Sequence, residues 1–288
     1  MMIKEKAYAK INISLDVLGL LPNGYHEMSM VMQSVGLWDD VEIEPNSSGL
    51  IRCQSGVDYL PSDEGNIAVR AAKVFFEAAG MDSAGAEIRL TKRIPICAGL
   101  GGGSSDGAAV LRGLNRHFGD RFSPSELEAL AAKVGSDIPF CVAGGTQLAT
   151  GTGTTLEPLP PMPHCGIVIC KPPFAIRTPE LFAKIDARRS RLHPDTAGIL
   201  AALEQGDVPG IARRMYNVFE DVLPRSAGEI ARLKGLLLSH GALGSVMTGT
   251  GSALFGIFED FDAAERAYNA LKGEDCEIFL AAPVGRVM

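Results

Sequence analysis

Four glycines and two serines in the stretch Ile94-Pro-Ile-Cys-Ala-Gly-Leu-Gly-Gly-Gly-Ser-Ser105 have the composition of a phosphate cradle. With no Cβ at Gly99, Gly101, Gly102 and Gly103, backbone N–H groups can approach an anion and adopt positive φ without steric cost. Ser104 and Ser105 are good N-caps, and Ala108, Ala109, Val110, Leu111 and Leu114 read as a buried helix whose positive end faces the glycines. The alternative is a flexible surface loop, but a linker does not normally run from a Pro-bounded apolar segment into a capped apolar helix. Two familiar phosphate loops do not fit. A P-loop needs Lys-Ser or Lys-Thr where Gly102 to Gly107 is followed by Ala108-Ala109. A dinucleotide fingerprint counted from Gly99 needs glycine where Ser104 stands, after a parallel-strand unit that residues 1–90 do not suggest.

Two charged residues stand where a scaffold could aim them. Residues 3–17 read as a strand with Ala7, Ala9, Ile11, Ile13 and Leu15 on one face, which puts Lys10 beside Asn12 on the polar face. A strand lysine taken alone is usually solvated. Asp137 lies in Gly135-Ser-Asp-Ile-Pro-Phe140, where Pro139 interrupts a helical pattern; a carboxylate at such a break either faces a site or caps a turn.

These residues need a scaffold, and the chain has enough apolar content to build one. It has 288 residues, 46% of them hydrophobic, which suits one large or two ordinary domains; we expect two. A net charge of −7 argues against a nucleic-acid or membrane-surface binder, so an anionic substrate must be held locally. The six cysteines show no C-x-x-C pair and no His cluster at ligand spacing, which favours buried, reduced thiols and a cytoplasmic setting over disulfides or zinc. No apolar run reaches membrane length, and the N-terminus passes at once into a strand pattern, so a soluble, unprocessed protein is expected.

The expected elements follow the punctuation of the chain. After the Pro22-Asn-Gly24 turn come an apolar strand to Leu37 and another at 40–44. A helix of about fourteen residues starts after Asn66 and ends at Gly80, and a strand at 87–94 delivers the glycine loop. Ser123-Pro-Ser-Glu126 opens a helix to about Val134, and turns at 144–145 and 150–155 flank a short strand. The Pro-rich stretch 158–163 marks the boundary between domains 1–160 and 161–288. Beyond it are a buried strand at 165–171, a helix opened by Thr178 as cap, a surface loop at 186–198, and helices near 199–205, 211–222 and 226–240. A glycine-rich turn at 244–258 between strands, a helix at 262–272 and a strand at 276–281 close the chain.

The pattern Pro95-x3-Gly-Leu-Gly-Gly-Gly-Ser-Ser105 resembles the nucleotide loop of the kinase superfamily named for galactokinase, homoserine kinase, mevalonate kinase and phosphomevalonate kinase (GHMP). Together with Ala9-Lys-Ile-Asn-Ile13, Asn23-Gly-Tyr-His26, Gly135-Ser-Asp-Ile-Pro139 and Gly249-Thr-Gly-Ser252, the order and spacing are similar along the whole chain to the 4-diphosphocytidyl-2-C-methyl-D-erythritol kinase family. That resemblance implies an α+β, two-domain fold: a ribosomal-S5-like N-terminal domain, a ferredoxin-like C-terminal domain and an active site in the cleft between them. It implies ATP-dependent phosphorylation of the 2-hydroxyl of a cytidine-diphosphate-linked methylerythritol, in the non-mevalonate route to isoprenoids.

By resemblance, Lys10 and Asp137 match the catalytic pair. Asp137 would accept the proton of a tertiary alcohol, and Lys10 would hold it as carboxylate and offset phosphoryl charge. The loop Pro95, Ile96, Cys97, Ala98, Gly99, Leu100, Gly101, Gly102, Gly103, Ser104 and Ser105 matches the ATP cradle, with Asn66 and Lys92 near the adenosine; Asn66 could equally be a cap. Asn12, Tyr25, His26, Thr178 and Phe182 match positions around the cytidine diphosphate, with a base expected between the Tyr25 and Phe182 rings; the rival reading of Phe182 is core packing. The Gly249 turn lines the cleft and is also a tight hairpin.

The chain departs from the family pattern in Asp106, usually Asn, and Asn23, usually Asp. Asp106 is expected either to favour the helix N-terminus and point away from the phosphates, or to meet Mg²⁺ through water. No metal cage is visible, so Mg²⁺ is expected to arrive with ATP, held mainly by the phosphates. A homoserine or mevalonate kinase is the nearest rival, disfavoured by the Gly-Tyr-His and Thr178-to-Phe182 segments. An inactive nucleotide-binding sensor is disfavoured by Lys10 together with Asp137.

Overall fold

The alternating N-terminal pattern forms a strand longer than its pattern marks, β1 (Ile3–Leu20), which pairs antiparallel with a single 21-residue strand β2 (His26–Asn46). The computed structural model describes residues 2–188, 192–224 and 227–288. The two strands expected at 26–44 are one because the ladder absorbs a bulge: Tyr8 pairs with Trp38 and Ala9 with Val35, leaving Gly36 and Leu37 extra, and β2 bends without breaking. Three elements follow in order: β3 (Ile51–Gln54), absent from the sequence reading, the helix α1 (Ile67–Ala78) and β4 (Gly85–Thr91). Next come α2 (Gly102–His117), α3 (Pro124–Ala132), α4 (Ile138–Ala143), β5 (Thr146–Gly151) and β6 (Thr155–Pro158). The second half contains β7 (Gly166–Lys171), α5 (Thr178–Asp186), α6 (Thr196–Gln205), α7 (Val208–Ala212) and β8 (Tyr216–Asn217). After a 3-10 turn at Val218–Val222 come α8 (Gly228–Ser239), β9 (Gly244–Met247), β10 (Leu254–Phe258), α9 (Phe261–Leu271) and β11 (Glu277–Ala281).

The first sheet runs β3-β4-β2-β1-β8, with β5 on β2 and β6 on β5; the second runs β11-β7-β10-β9. In the second sheet the β7-α8-β9-β10-α9-β11 succession and that antiparallel order are the ferredoxin-like arrangement. β7 is buried along its length because both faces are covered: Val168 and Cys170 join the core with α8 and α9, while Ile167 and Ile169 face the other way.

The five apolar residues expected on one face of β1 divide between two cores. Ala7 and Leu15 join the core beneath α1 and α2, whereas Ala9, Ile11 and Ile13 pack with Ile167, Ile169, Phe255 and Ile257 of the second sheet. Register shifts at Tyr8/Ala9 and Asn12/Ser14 accompany this change. The two halves therefore share an apolar core, and β1 from Ala9 to Val17 is buried on both faces.

Some expected local signals resolved differently. α2 begins at Gly102 with Gly101 (φ 70°) as its cap, so Ser104 and Ser105 lie inside the first turn and are not N-caps. Thr178 is the first residue of α5, after Arg177 as cap. The helix expected at 211–222 is broken. Asn217 stays extended because its side chain accepts from Phe219 N–H and donates to the Met247 and Gly249 carbonyls, which lets β8 pair with β1. Residues 189–191 of the loop expected at 186–198, and residue 226 of the next helix, lie outside the described residues. No helix among the described residues is long and apolar enough to cross a membrane. The last residues return to the first half, where Val284 N–H bonds the Ser34 carbonyl at 2.8 Å and Val287 N–H bonds that of Ala143 at 3.0 Å.

Arg112 joins α2 to the two elements that carry the candidate pair, β1 and α4. Buried on α2, it donates to the carbonyls of Cys141 on α4 (2.6 Å) and Lys6 on β1 (2.9 Å), with Glu5 3.5 Å away. Replacing it by an apolar side chain of similar length strips two buried carbonyls of charged donors. Arg112→Met is expected to lose about 3 kcal/mol of stability in urea unfolding; a loss below about 1 kcal/mol would show that Arg112 does not brace these elements.

Candidate active site

The loop between β4 and α2 is anchored before it reaches the glycines. Asp39, fully buried on β2, accepts from the backbone N–H groups of Arg93 and Ile94 and from the Lys92 ammonium. Lys92 also donates to Asp106 Oδ2 at 2.6 Å. The loop then turns through Gly99 (φ 78°) and Gly101 (φ 70°), a conformation open to glycine. Both glycines are also demanded by close approach of protein atoms. A Cβ on Gly99 would lie 2.2 Å from the Thr248 carbonyl oxygen, and one on Gly101 would lie 2.9 Å from Lys10 Cγ. The helix that follows leaves its first N–H groups without helical partners, and they open on a cavity of about 330 Å³.

That cavity is lined by Pro95 through Ser104, by Asn66 and Lys92, and by apolar walls at Leu60, Ile67 and Leu90. Ser105 is not brought to it: its hydroxyl turns inward and donates to the Tyr8 carbonyl at 2.6 Å. Asn66 lies at the cavity edge with its side chain engaged, capping α1 through Ala68 N–H and donating to the Pro61 carbonyl. The apolar walls escaped the sequence reading because such residues look the same in any core.

A second, wider cleft of about 1010 Å³ adjoins the first, and Gly99 lines both. Lys10, Tyr25, His26, Asp137, Thr178 and Phe182 all line it. Lys10 is buried; its ammonium donates to Asn12 Oδ1 at 2.8 Å and lies 3.7 Å from Asp137 Oδ2. Asp137 is the N-cap of α4 by position, yet its side chain makes no cap bond, so the carboxylate is left for the cleft.

Asn12 is not in the cleft. It is fully buried behind Lys10, where Oδ1 also accepts from Gly249 N–H at 3.0 Å and lies 3.2 Å from Thr248 Oγ1. The β9–β10 turn is thereby fixed to β1 and to the glycine loop, where Ala253 N–H bonds the Ala98 carbonyl at 3.1 Å. The turn walls the cleft through Gly249 and Thr250, and it joins the antiparallel strands β9 and β10 by the longer connection 248–253 and not by the tight hairpin expected.

At the far end of the cleft, the ring on Phe182 is that of His26, stacked at 4.4 Å between centroids and inclined by 27°. The open slot expected between Tyr25 and Phe182 is therefore narrowed by His26, and Tyr25 stands 65% exposed at the hairpin tip. Phe182 serves core and cleft together, since it also meets the edge of Phe219 at 4.9 Å. Asn23 does locally what Asp would do, accepting from Tyr25 N–H at 3.0 Å. The Thr178 and Thr250 hydroxyls, both on the cleft wall, meet at 2.7 Å. Among the described residues no group of three or more His, Cys, Asp or Glu side chains is arranged to hold a metal ion.

Asp106 is not in the first turn of α2, where the helix N-terminus would favour it, but it does line the glycine-loop cavity. It is buried against Lys92, and its Oδ1 has no hydrogen-bond partner. Burial, reinforced by the nearby Asp39 and opposed by Lys92, pushes its carboxyl up to about 7. A carboxyl whose pKa is higher folded than unfolded stabilises the fold below the unfolded value, near 4, and this contribution is lost as pH rises to about 7. Asp106→Asn should therefore melt progressively higher than wild type as pH rises from 4 to 7, by several degrees, where about 1 kcal/mol is roughly 2–4 °C. Parallel melting curves across that range would contradict the assignment.

Known proteins share this architecture. Residues 66–145 match the family model described as GHMP kinases N terminal domain, and residues 199–277 match GHMP kinases C terminal. The chain is 42% identical over 270 residues to the 4-diphosphocytidyl-2-C-methyl-D-erythritol kinase of Lachnoclostridium phytofermentans, covering 94% of this chain and 92% of the relative. It is 42% identical over 281 residues to that of Pelotomaculum thermopropionicum, covering 97% of each. A crystal structure of 4-(cytidine 5'-diphospho)-2C-methyl-D-erythritol kinase superposes with a TM-score of 0.82 at 34% identity, covering 98% of this chain and 100% of that one. A homoserine kinase from Cytophaga hutchinsonii, at 22% identity and a TM-score of 0.78, shares the fold.

Proposed function

The chain belongs to the 4-diphosphocytidyl-2-C-methyl-D-erythritol kinase family within the GHMP kinases, and from that premise we propose that it transfers the γ-phosphoryl group of ATP to the 2-hydroxyl of 4-diphosphocytidyl-2-C-methyl-D-erythritol. The single observation that carries this is the junction of the two cavities: Gly99 lines both, and Lys10 and Asp137 stand beside it. A phosphoryl donor in the glycine-lined cavity and an alcohol in the cleft would meet at that point.

ATP lies with its phosphates on the N-terminus of α2 and its nucleoside toward Asn66, Ile67 and Lys92. Mg²⁺ accompanies ATP, held by the phosphates and supplying charge neutralisation there. Asp137 accepts the proton of the attacking hydroxyl, whose oxygen forms the new bond to phosphorus as the bond to the ADP oxygen breaks. Lys10 lies opposite the Asp137 carboxylate and offsets charge on the moving phosphoryl group, and most of the rate enhancement comes from alignment and charge. Asn12, from behind, fixes the direction of the ammonium. The cytidine end occupies the region of Tyr25, His26, Thr178 and Phe182. We further take 1–160 and 161–288 as the two domains and the cytoplasm as the working compartment, where the chain supplies a step in isoprenoid precursor synthesis.

The reading is tested by coupled ADP release with cytidylyl-erythritol, its uridylyl analogue, homoserine and mevalonate as acceptors. Turnover of the cytidylyl substrate should exceed that of the uridylyl form by at least about tenfold in kcat/KM, because cytosine and uracil reverse donor and acceptor at N3 and C4. Homoserine and mevalonate should give no release above background. Equal use of the two bases would remove the cytosine pocket, and faster turnover of homoserine or mevalonate would overturn the function.

A further inference from the structure

The cytidine end of the cleft contains a His–Asp hydrogen bond that the proposed chemistry does not use. Asp186 closes α5 one turn after Phe182, so the two side chains lie on one helix face. Asp186 Oδ1 is 2.9 Å from His26 Nε2, while Phe182 supports the same imidazole ring from below. His26 opens β2 in the first half of the chain, and α5 belongs to the second. The His26 side chain is 13% exposed and that of Asp186 44%, so the carboxylate holds the more buried ring from the solvent side.

An ionised carboxylate only accepts hydrogen bonds, so the proton in this contact belongs to His26 Nε2. In the neutral imidazole, Nδ1 is then left as an acceptor. Cytosine offers an amino group at C4 where uracil offers a carbonyl oxygen, and an acceptor suits the first and repels the second. Without its partner the ring can rotate, exchange tautomers and leave Phe182.

We infer that Asp186 is a specificity-determining positioning residue: it clamps the His26 imidazole on Phe182 in the tautomer that leaves Nδ1 as acceptor, and so presets the site for cytosine over uracil. The inference rests on the cytidylyl reading above and deepens it. Asp186 touches no reacting atom; it acts through His26. It also spans the cleft, so base selection and the seating of α5 against the β1–β2 hairpin are one contact.

The test has one arm without substrate and one with it. Nitrogen NMR of the imidazole in the ligand-free protein should show His26 protonated at Nε2 in wild type and a tautomer mixture in Asp186→Ala. A mixture in wild type, or an unchanged spectrum in the variant, overturns the clamp whether or not the proposed substrate is correct. In kinetics, Asp186→Ala should raise KM for the cytidylyl substrate about tenfold and lower the cytidine-to-uridine preference similarly, with kcat and KM for ATP unchanged. Asp186→Asn, whose carbonyl oxygen can accept the same proton, should stay within about threefold of wild type. In a His26→Ala background Asp186→Ala should add nothing further. An undiminished preference in Asp186→Ala, or an equal loss in the His26→Ala background, overturns the positioning role. Loss of kcat and of ATP affinity in step with melting temperature also overturns it, since that pattern belongs to a general structural contact. Failure of wild type to use the cytidylyl substrate would defeat the functional reading, and the NMR arm would still decide the clamp.

Discussion

A buried ammonium constrains this molecule more than any other group. Removing Lys10 from water costs several kcal/mol unless its charge and donors are met by protein groups. The acceptors for that task are Asn12 Oδ1, two residues on at 2.8 Å, and, more loosely and from far along the chain, Asp137 at 3.7 Å. Asn12 can serve only because its oxygen is itself fixed by Gly249 N–H from the second half, and Asp137 only because α4 leaves its carboxylate uncommitted. Satisfying one charge therefore brings together β1, the β9–β10 turn and the start of α4.

The glycine loop obeys two constraints at once. Its backbone must approach phosphate, and Gly99 and Gly101 must also admit the Thr248 carbonyl and the Lys10 side chain. A side chain at either position would disturb the approach of the second half or the direction of the ammonium before ATP arrived. The other face of β1 secures the same junction by apolar packing, since Ala9, Ile11 and Ile13 bury against the second sheet while Lys10 and Asn12 hold the site. Burial on both faces makes β1 the rigid element of the cleft. The Lys92 group is a different solution to a similar problem. It sets one ammonium between two carboxylates, leaves Asp106 Oδ1 unpaired, and ties the loop base to β2.

What the residues disclosed in advance was local. The glycine stretch, the Ser123 capping box, the Asn66 cap and the buried run of β7 are chemistry between near neighbours, and each was readable from a few residues. Lys10, Asp137 and the cytidine-end residues came from resemblance, because a strand lysine or a carboxylate before Ile-Pro has no local signature of catalysis. What stayed hidden depends on partners distant in sequence. The bulge that makes β2 one strand needs β1 opposite it. The extended Asn217 needs the Met247 and Gly249 carbonyls, and the burial of Asn12 needs the turn at 248–249. Ser105 is the clearest case: its type suited a cap or a phosphate, and only the proximity of the Tyr8 carbonyl turned it inward.

The central claim is that the ammonium and the carboxylate at this junction act as one unit on a phosphoryl group in flight. A double-mutant cycle on kcat measures that directly. Lys10→Ala and Asp137→Ala should each lower kcat by roughly 10²–10⁴ with ATP affinity little changed. The double variant should lose far less than the product of the two, because removing either partner already disables the unit. Full multiplicativity of the two losses would mean that the residues act independently and would contradict the account.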